Sequence, residues 1–279
     1  MSVRSLKTFS EPTDKYTAIM NDNARSVYSL IHTGVEFDYI NFLNALTNKK
    51  LNVAYEIWKQ HIHKGGEQWL LPKEIGLNTT SSPQCLFASV CDAKLVQLWV
   101  NQNLQAVMDK LLFENKEDDA LFDLNILSGA EVVTKMEEYL PLLPQMVNFR
   151  NFEGVSEMIR LITLKLSNEA SGNSTLDITS YSYEIKFGLA VVLISYGWLD
   201  ALFKLEQTDS IISTWRDDSG MEMILDFLFY TAMSTNNLLI MEWFRLKYPS
   251  IQEHLRKGWY GIPDTSSPLI TKYLNDFTI

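Results

Sequence analysis

A chain of 279 residues with 46% hydrophobic and 21% charged side chains has the balance of an ordinary globular protein, long enough for one large or two small domains. Its 12 glycines and 8 prolines are too few for a turn-dense β fold, whereas 7 Trp, 12 Tyr and 14 Phe suit well-filled helix–helix layers. A formal net charge of -10 opposes broad, non-specific binding to phosphate backbones, and no apolar run reaches the length of a membrane span.

Met1 to Ser10 carries Arg4 and Lys7 and no acid, the composition of a short organellar transit segment, and residues 1–24 are expected to be a flexible N-terminus. The first helix is predicted from Ala24 to His32, ended by Gly34. Residues 37–63 then read as a helical hairpin. Tyr39, Phe42, Leu43 and Leu46 form one apolar stripe at i, i+3, i+4, i+7, and Leu51, Ala54, Tyr55 and Trp58 form another. The break between them is Thr47-Asn48-Lys49-Lys50, which has no glycine. Trp58 is expected to be buried against Tyr55 or the neighbouring hairpin, with Ala54 at a close helix contact. A lone hairpin cannot bury two such stripes, so like units must stack beside it.

A long connection at 71–83 leads to a second pair, Cys85–Val90 with Leu95–Leu104, in which Leu95, Leu98 and Trp99 keep helical spacing. Glu114 to Asp119 is a charged, linker-like run. A helix is predicted from Gly129 to Tyr139, with Pro141 and Pro144 interrupting the pattern. Periodicity returns at Val155, Met158, Ile159, Ile162 and Leu166. Residues 167–180 are rich in Ser, Asn, Thr and Gly and read as a loop between two regions. Beyond it, Ile185, Leu189, Val192, Leu193 and Tyr196 face Leu199, Leu202 and Phe203 across a turn at Ser195-Tyr196-Gly197, and the run from Phe187 to Ile194 fits a buried helix. Leu225, Leu228, Phe229 and Ala232 similarly face Leu239, Trp243 and Leu246 across 234–237. The predicted fold is all-α: stacked antiparallel helical hairpins in an irregular α-solenoid, with helical-repeat regions at 25–166 and 181–279.

Catalytic chemistry finds little foothold in the sequence. Cys85 and Cys91 fit no zinc spacing and read as reduced thiols. His61 and His63 point apart on a helix and have no third ligand beside them. The acidic pair at 217–218 reads as a loop and helix cap. No metal, cofactor or catalytic residue is predicted. The segment Arg245 to Tyr260 is the candidate binding site: Arg245, Lys247, Arg256 and Lys257 are interleaved with Tyr248, Trp259 and Tyr260, and Glu253 is its single acid. Cations pair with phosphate, and exposed rings stack on unpaired bases.

The segment LNALTNKKLNVAYEIWKQHIHKG resembles a pentatricopeptide or tetratricopeptide repeat, with Ala54 as the small residue of the second helix, followed by Ile57 and Trp58. ISYGWLDALFKLE is similar, with Ala201 in that place, and STNNLLIMEWFRLKYPS is similar to degenerate ankyrin repeats. The spacing of about forty residues exceeds the mid-thirties of regular repeats, which speaks against a base-per-repeat code. The pentatricopeptide resemblance implies a non-catalytic role in mitochondrial gene expression: messenger-specific translation activation, or association with ribosome and RNA. Its implied partners are the mitoribosome or another translation factor and single-stranded RNA, with no DNA and no membrane span, and its implied location is mitochondrial, otherwise cytoplasmic. The ankyrin and tetratricopeptide resemblance implies a protein–protein interaction adaptor, of viral or bacterial host-interaction type. Asp118, Asp119 and Asp123 resemble the magnesium-binding cluster of an all-α terpene synthase, but the second metal motif of that family is missing.

Overall fold

A computed structural model describes residues 14–66, 69–70, 82–113, 127–170, 178–212, 220–261 and 267–277. Among these residues the chain is all-α, with fifteen helices and no strand. It divides into two compact units, Met1–Gln102 and Asn103–Ile279.

The first unit contains α1 (Lys15–Met20), α2 (Ala24–His32), α3 (Tyr39–Thr47), α4 (Leu51–His63), α5 (Pro83–Val90) and the start of α6 (Ala93–Phe113). The division between units therefore falls inside α6, away from the loop expected at 167–180. Helix α1 lies in the segment expected to be flexible. Asp14 caps it by accepting from the Thr17 amide at 2.7 Å, and Ala18 and Ile19 are buried. Asp38 and Asn41 close a reciprocal capping box on α3. Helices α3 and α4 pack on each other. Of the predicted stripes, Phe42 and Leu46 of α3 and Ala54 and Trp58 of α4 are buried, together with Ala45, Val53 and Ile57, which neither stripe included, while Tyr39, Leu43, Leu51 and Tyr55 are half-buried. Trp58 is fully buried, with its ring 5.4 Å from Phe42 and 5.6 Å, edge-on, from Phe87 of α5. Tyr55 does not stack on it; its ring carries the Lys59 ammonium at 5.7 Å. Of the two expected surroundings of Trp58, the neighbouring helices supply the packing.

The second unit contains α7 (Gly129–Tyr139), α8 (Leu142–Asn148), α9 (Phe152–Ala170), α10 (Ile178–Ser195), α11 (Leu199–Asp209), α12 (Gly220–Ser234), α13 (Leu238–Lys247), α14 (Pro249–Arg256) and α15 (Pro268–Phe277). Residues 167–170 and 178–180 are thus helical where a loop was expected, and 171–177 lie outside the described residues. Pro144 does not break α8. It occupies the first turn, where the missing N–H has no intrahelical partner to lose. Helix α10 is the centre of this unit. It packs on α7, α9, α11 and α12, and every residue from Phe187 to Ile194 is buried.

Among the described residues one kind of turn joins a helix directly to the next at five places, 21–23, 48–50, 149–151, 196–198 and 235–237. Its middle residue is left-handed: Asp22, Lys49, Arg150, Gly197 and Asn236 have φ of 50°, 53°, 59°, 64° and 60°. In each case the third residue donates its amide to a carbonyl five positions back, as in Asn23 to Ala18, Lys50 to Ala45 and Asn237 to Ala232. This Schellman closure ends one helix, and the next begins at once, so five helix pairs share one geometry although only one has glycine at the strained position. The turns also bond to the neighbouring helix pair. Within the first unit, Asp22 accepts from the Val53 amide at 3.2 Å and the Asn52 side chain at 3.0 Å. Within the second, Arg150 donates to the Tyr196 carbonyl at 2.8 Å and lies over the Trp198 ring at 5.4 Å, and Asn237 donates to the Ile194 carbonyl at 2.6 Å. Asn237→Ala removes the last of these bonds and is expected to cost about 1 kcal/mol, measured by urea unfolding. A wild-type midpoint would show that the bond from this turn to α10 does not hold the pairs together.

Helix α13 reverses an expectation. Leu239 and Leu246 are 74% and 70% exposed and Trp243 is half-buried, while Ile240, Met241 and Phe244 face inward. The sequence of α13 begins LLIMEWF, apolar on two faces, and packing rather than periodicity selects the inner one. Phe203 of α11 likewise points outward, beside buried Leu202.

Candidate binding groove

Helix α12 carries two stripes. Leu225, Leu228, Phe229 and Ala232 are buried, as predicted. On another face Met223, Asp226, Phe227 and Tyr230, spaced i, i+3, i+4, i+7, line an open cavity of about 400 Å³. Leu127, Ser128 and Gly129 at the start of α7 and Trp259 and Tyr260 after α14 complete its walls. Gly129 permits the close approach of α7 to α12, since a Cβ there would sit 2.7 Å from Thr231 Cγ2. Trp259 and Tyr260 reach the groove because Gly258, at φ 66°, closes a Schellman turn on α14 in which the Trp259 amide donates to the His254 carbonyl.

A small network fixes this wall. Asp226 Oδ1 accepts from the Tyr260 hydroxyl and, at 2.9 Å, from His254 Nδ1, which sets the histidine tautomer. Burial, followed by the bond to Asp226, pushes the Tyr260 phenol far above its ordinary range, so it remains a donor. His254 is buried and stacks on Trp259 at 4.3 Å, and Tyr260 rests on Phe229 at 4.8 Å. Trp259 is nevertheless 61% exposed, and Met223 and Tyr230 are each 47% exposed.

The seven residues of the predicted patch are dispersed. Arg245 forms a two-pronged ion pair with Glu242 and lies over Phe277 at 4.8 Å. Lys247 reaches the buried Glu206 carboxylate at 3.1 Å. Tyr248 is buried, and that burial pushes its phenol above the usual range, so it offers no outer face for stacking. Arg256 is exposed. Lys257 is exposed too, but is held by Glu253 at 3.3 Å and lies over Trp259 at 5.1 Å. Only Trp259 and Tyr260 line the groove. Linear reading missed Met223, Asp226, Phe227 and Tyr230, whose helical spacing was the available signal.

The Arg245 hydrogen bond, assisted by one from the Tyr273 hydroxyl at 2.6 Å, holds the Glu242 carboxyl at about 2, down from 4.5. A depressed folded-state value contributes stability that is complete above the unfolded value and is lost as pH falls towards 2. Glu242 is about a third exposed, so solvent screening makes this contribution smaller than the shift alone implies. Acid titration of stability is expected to be shallower in Glu242→Gln between pH 4.5 and 2, and an unchanged slope would remove the ion pair from the acid response.

Among the described residues no group of three His, Cys, Asp or Glu side chains is placed to hold a metal, and no helix is long and apolar enough to cross a membrane. His61 stacks on Trp69 at 4.0 Å. Cys91 is buried and Cys85 half-buried. Asp118, Asp119, Asp123 and the acidic pair at 217–218 lie outside the described residues, as do Met1 to Ser10. In comparison with known proteins, the chain matches no family model, no curated protein and no solved structure.

Proposed function

We propose that the chain is a non-catalytic binding scaffold, an irregular α-solenoid of ankyrin or tetratricopeptide type, that holds a protein partner along the groove beside α12. The observation that carries this reading is the open α12 face itself: a methionine and aromatic rings at helical spacing stay accessible on a helix whose other stripe is buried. Exposed apolar surface costs solubility and marks contact sites. The recurring turns, bonded to the neighbouring helix pair, support the stacking of helix pairs, and the outward Leu239 and Leu246 add apolar surface on a second helix.

The test is a photo-crosslinking residue in place of Tyr230, activated in cells and read out for protein and for RNA. A discrete protein adduct that disappears when Met223→Glu is added is the expected result. RNA adducts alone, or no adduct beyond that of a control at exposed Lys272, would overturn it. A second reading, the RNA-directed role in mitochondrial gene expression, is favoured by one observation, the exposure of Arg256 at the end of α14 together with Lys257 and Trp259 just beyond it. Under it, charge reversal at Arg256 and Lys257 weakens RNA crosslinking and flattens its salt dependence.

A further inference from the structure

We propose that the α12 groove is a receptor for a basic side chain, a lysine ammonium presented by the protein partner. This rests on the scaffold reading above and specifies the chemistry its groove selects. Phe227, Tyr230, Trp259 and Tyr260 place four aromatic rings around one cavity with the Asp226 carboxylate among them. Aromatic faces are negative, and a cation held among them beside a carboxylate is attracted by both. The aliphatic stem of lysine matches the remaining apolar wall, Met223 and Leu127.

Three observations favour this occupant over others. Asp226 uses Oδ1 for both of its internal bonds, and its side chain remains 33% exposed at the cavity. Its charge disfavours phosphate or carboxylate guests. The positive end of α7, which would otherwise repel a cation at the mouth, is already covered: Ser128 and Glu131 form a closed capping box there, with the Glu131 carboxylate accepting from the Ser128 amide and hydroxyl at 2.6 and 2.7 Å. Third, Trp259 already attracts an ammonium, that of Lys257 at 5.1 Å, which Glu253 tethers from outside the groove. The chain as a whole carries -10, so long-range steering also draws a basic partner.

The test uses the full chain and two small probes, N-acetyl-lysine methylamide and its norleucine analogue, which lacks only the ammonium. Binding is followed by NMR at the Met223 methyl and the Trp259 indole N–H. Saturable shifts with the lysine probe, at least roughly tenfold tighter than with norleucine and weakened by salt, are expected. Asp226→Asn, which keeps an oxygen for the internal bonds, is expected to abolish the preference, and Tyr230→Ala, at an exposed position, to weaken lysine binding with an unchanged melting temperature. Equal binding of the two probes, or no shift at either reporter, overturns the proposal. If the Tyr230 photo-adduct persists in that case, the scaffold reading stands and only the cation chemistry fails. If the adduct is absent as well, both fail.

Discussion

Trp58→Ala is expected to lower the unfolding free energy by roughly 3–5 kcal/mol, the cost of truncating a large aromatic in a packed core. The side chain is fully buried, and its ring is in contact distance of Phe42 on α3 and Phe87 on α5, so its removal opens a cavity where three helices meet. Ala54, one turn earlier on α4, is also fully buried, and Ala54→Trp is expected to destabilise by overpacking the same layer. The indole adds a distinct signature. Its N–H is buried and has no hydrogen-bond partner among the described residues. Trp58→Phe removes that unsatisfied donor along with part of the ring, and relief of the donor offsets some of the lost packing. Its cost is therefore expected to fall well below that of the alanine variant. Urea unfolding followed by circular dichroism separates these cases, and a wild-type midpoint for Trp58→Ala would show that this hairpin core is misassigned.

The hairpin around Trp58 was legible because α3 and α4 each have one apolar face and a polar break between them. The buried run of α10 was legible for the opposite reason, being apolar on every side from Phe187 to Ile194. Helix α13 defeated the same reasoning: two of its faces are apolar, and the outward pair Leu239 and Leu246 has as good a spacing as the inward set. Helix α1 has only six residues, too few to be stable alone, and exists through the Asp14 cap and the burial of Ala18 and Ile19. In the candidate site, aromatic–basic composition pointed to Trp259 and Tyr260 but also to Arg245 and Lys247. Those two are absorbed by carboxylates, and the partner of Lys247, Glu206, lies 41 positions away, beyond any local pattern. Asp226 was hidden because a lone carboxylate on a helix reads as solvated surface until the fold brings Trp259 and Tyr260 beside it.

Phe229→Ala is expected to cost a similar roughly 3–5 kcal/mol in the second unit, and to do more than destabilise. Phe229 is fully buried between Phe244, 6.5 Å away and edge-on, and Tyr260, whose ring lies 4.8 Å away. It is the floor on which Tyr260 rests while its hydroxyl donates to Asp226. Truncation leaves a void under that ring, so the hydroxyl loses its fixed aim and the carboxylate loses one of its two donors. Tyr260→Phe separates the two contributions. It keeps the ring on its floor and deletes only the hydrogen bond to a carboxylate, at an expected cost of about 1.5–3 kcal/mol. Urea unfolding of the two variants is then expected to rank Phe229→Ala below Tyr260→Phe and both below wild type. Equal stability of Phe229→Ala and wild type would show that the aromatic layer beneath the groove does not carry its wall. If the order of the two variants is instead reversed, the hydrogen bond to Asp226, rather than the packing of the ring, is what holds Tyr260 in place.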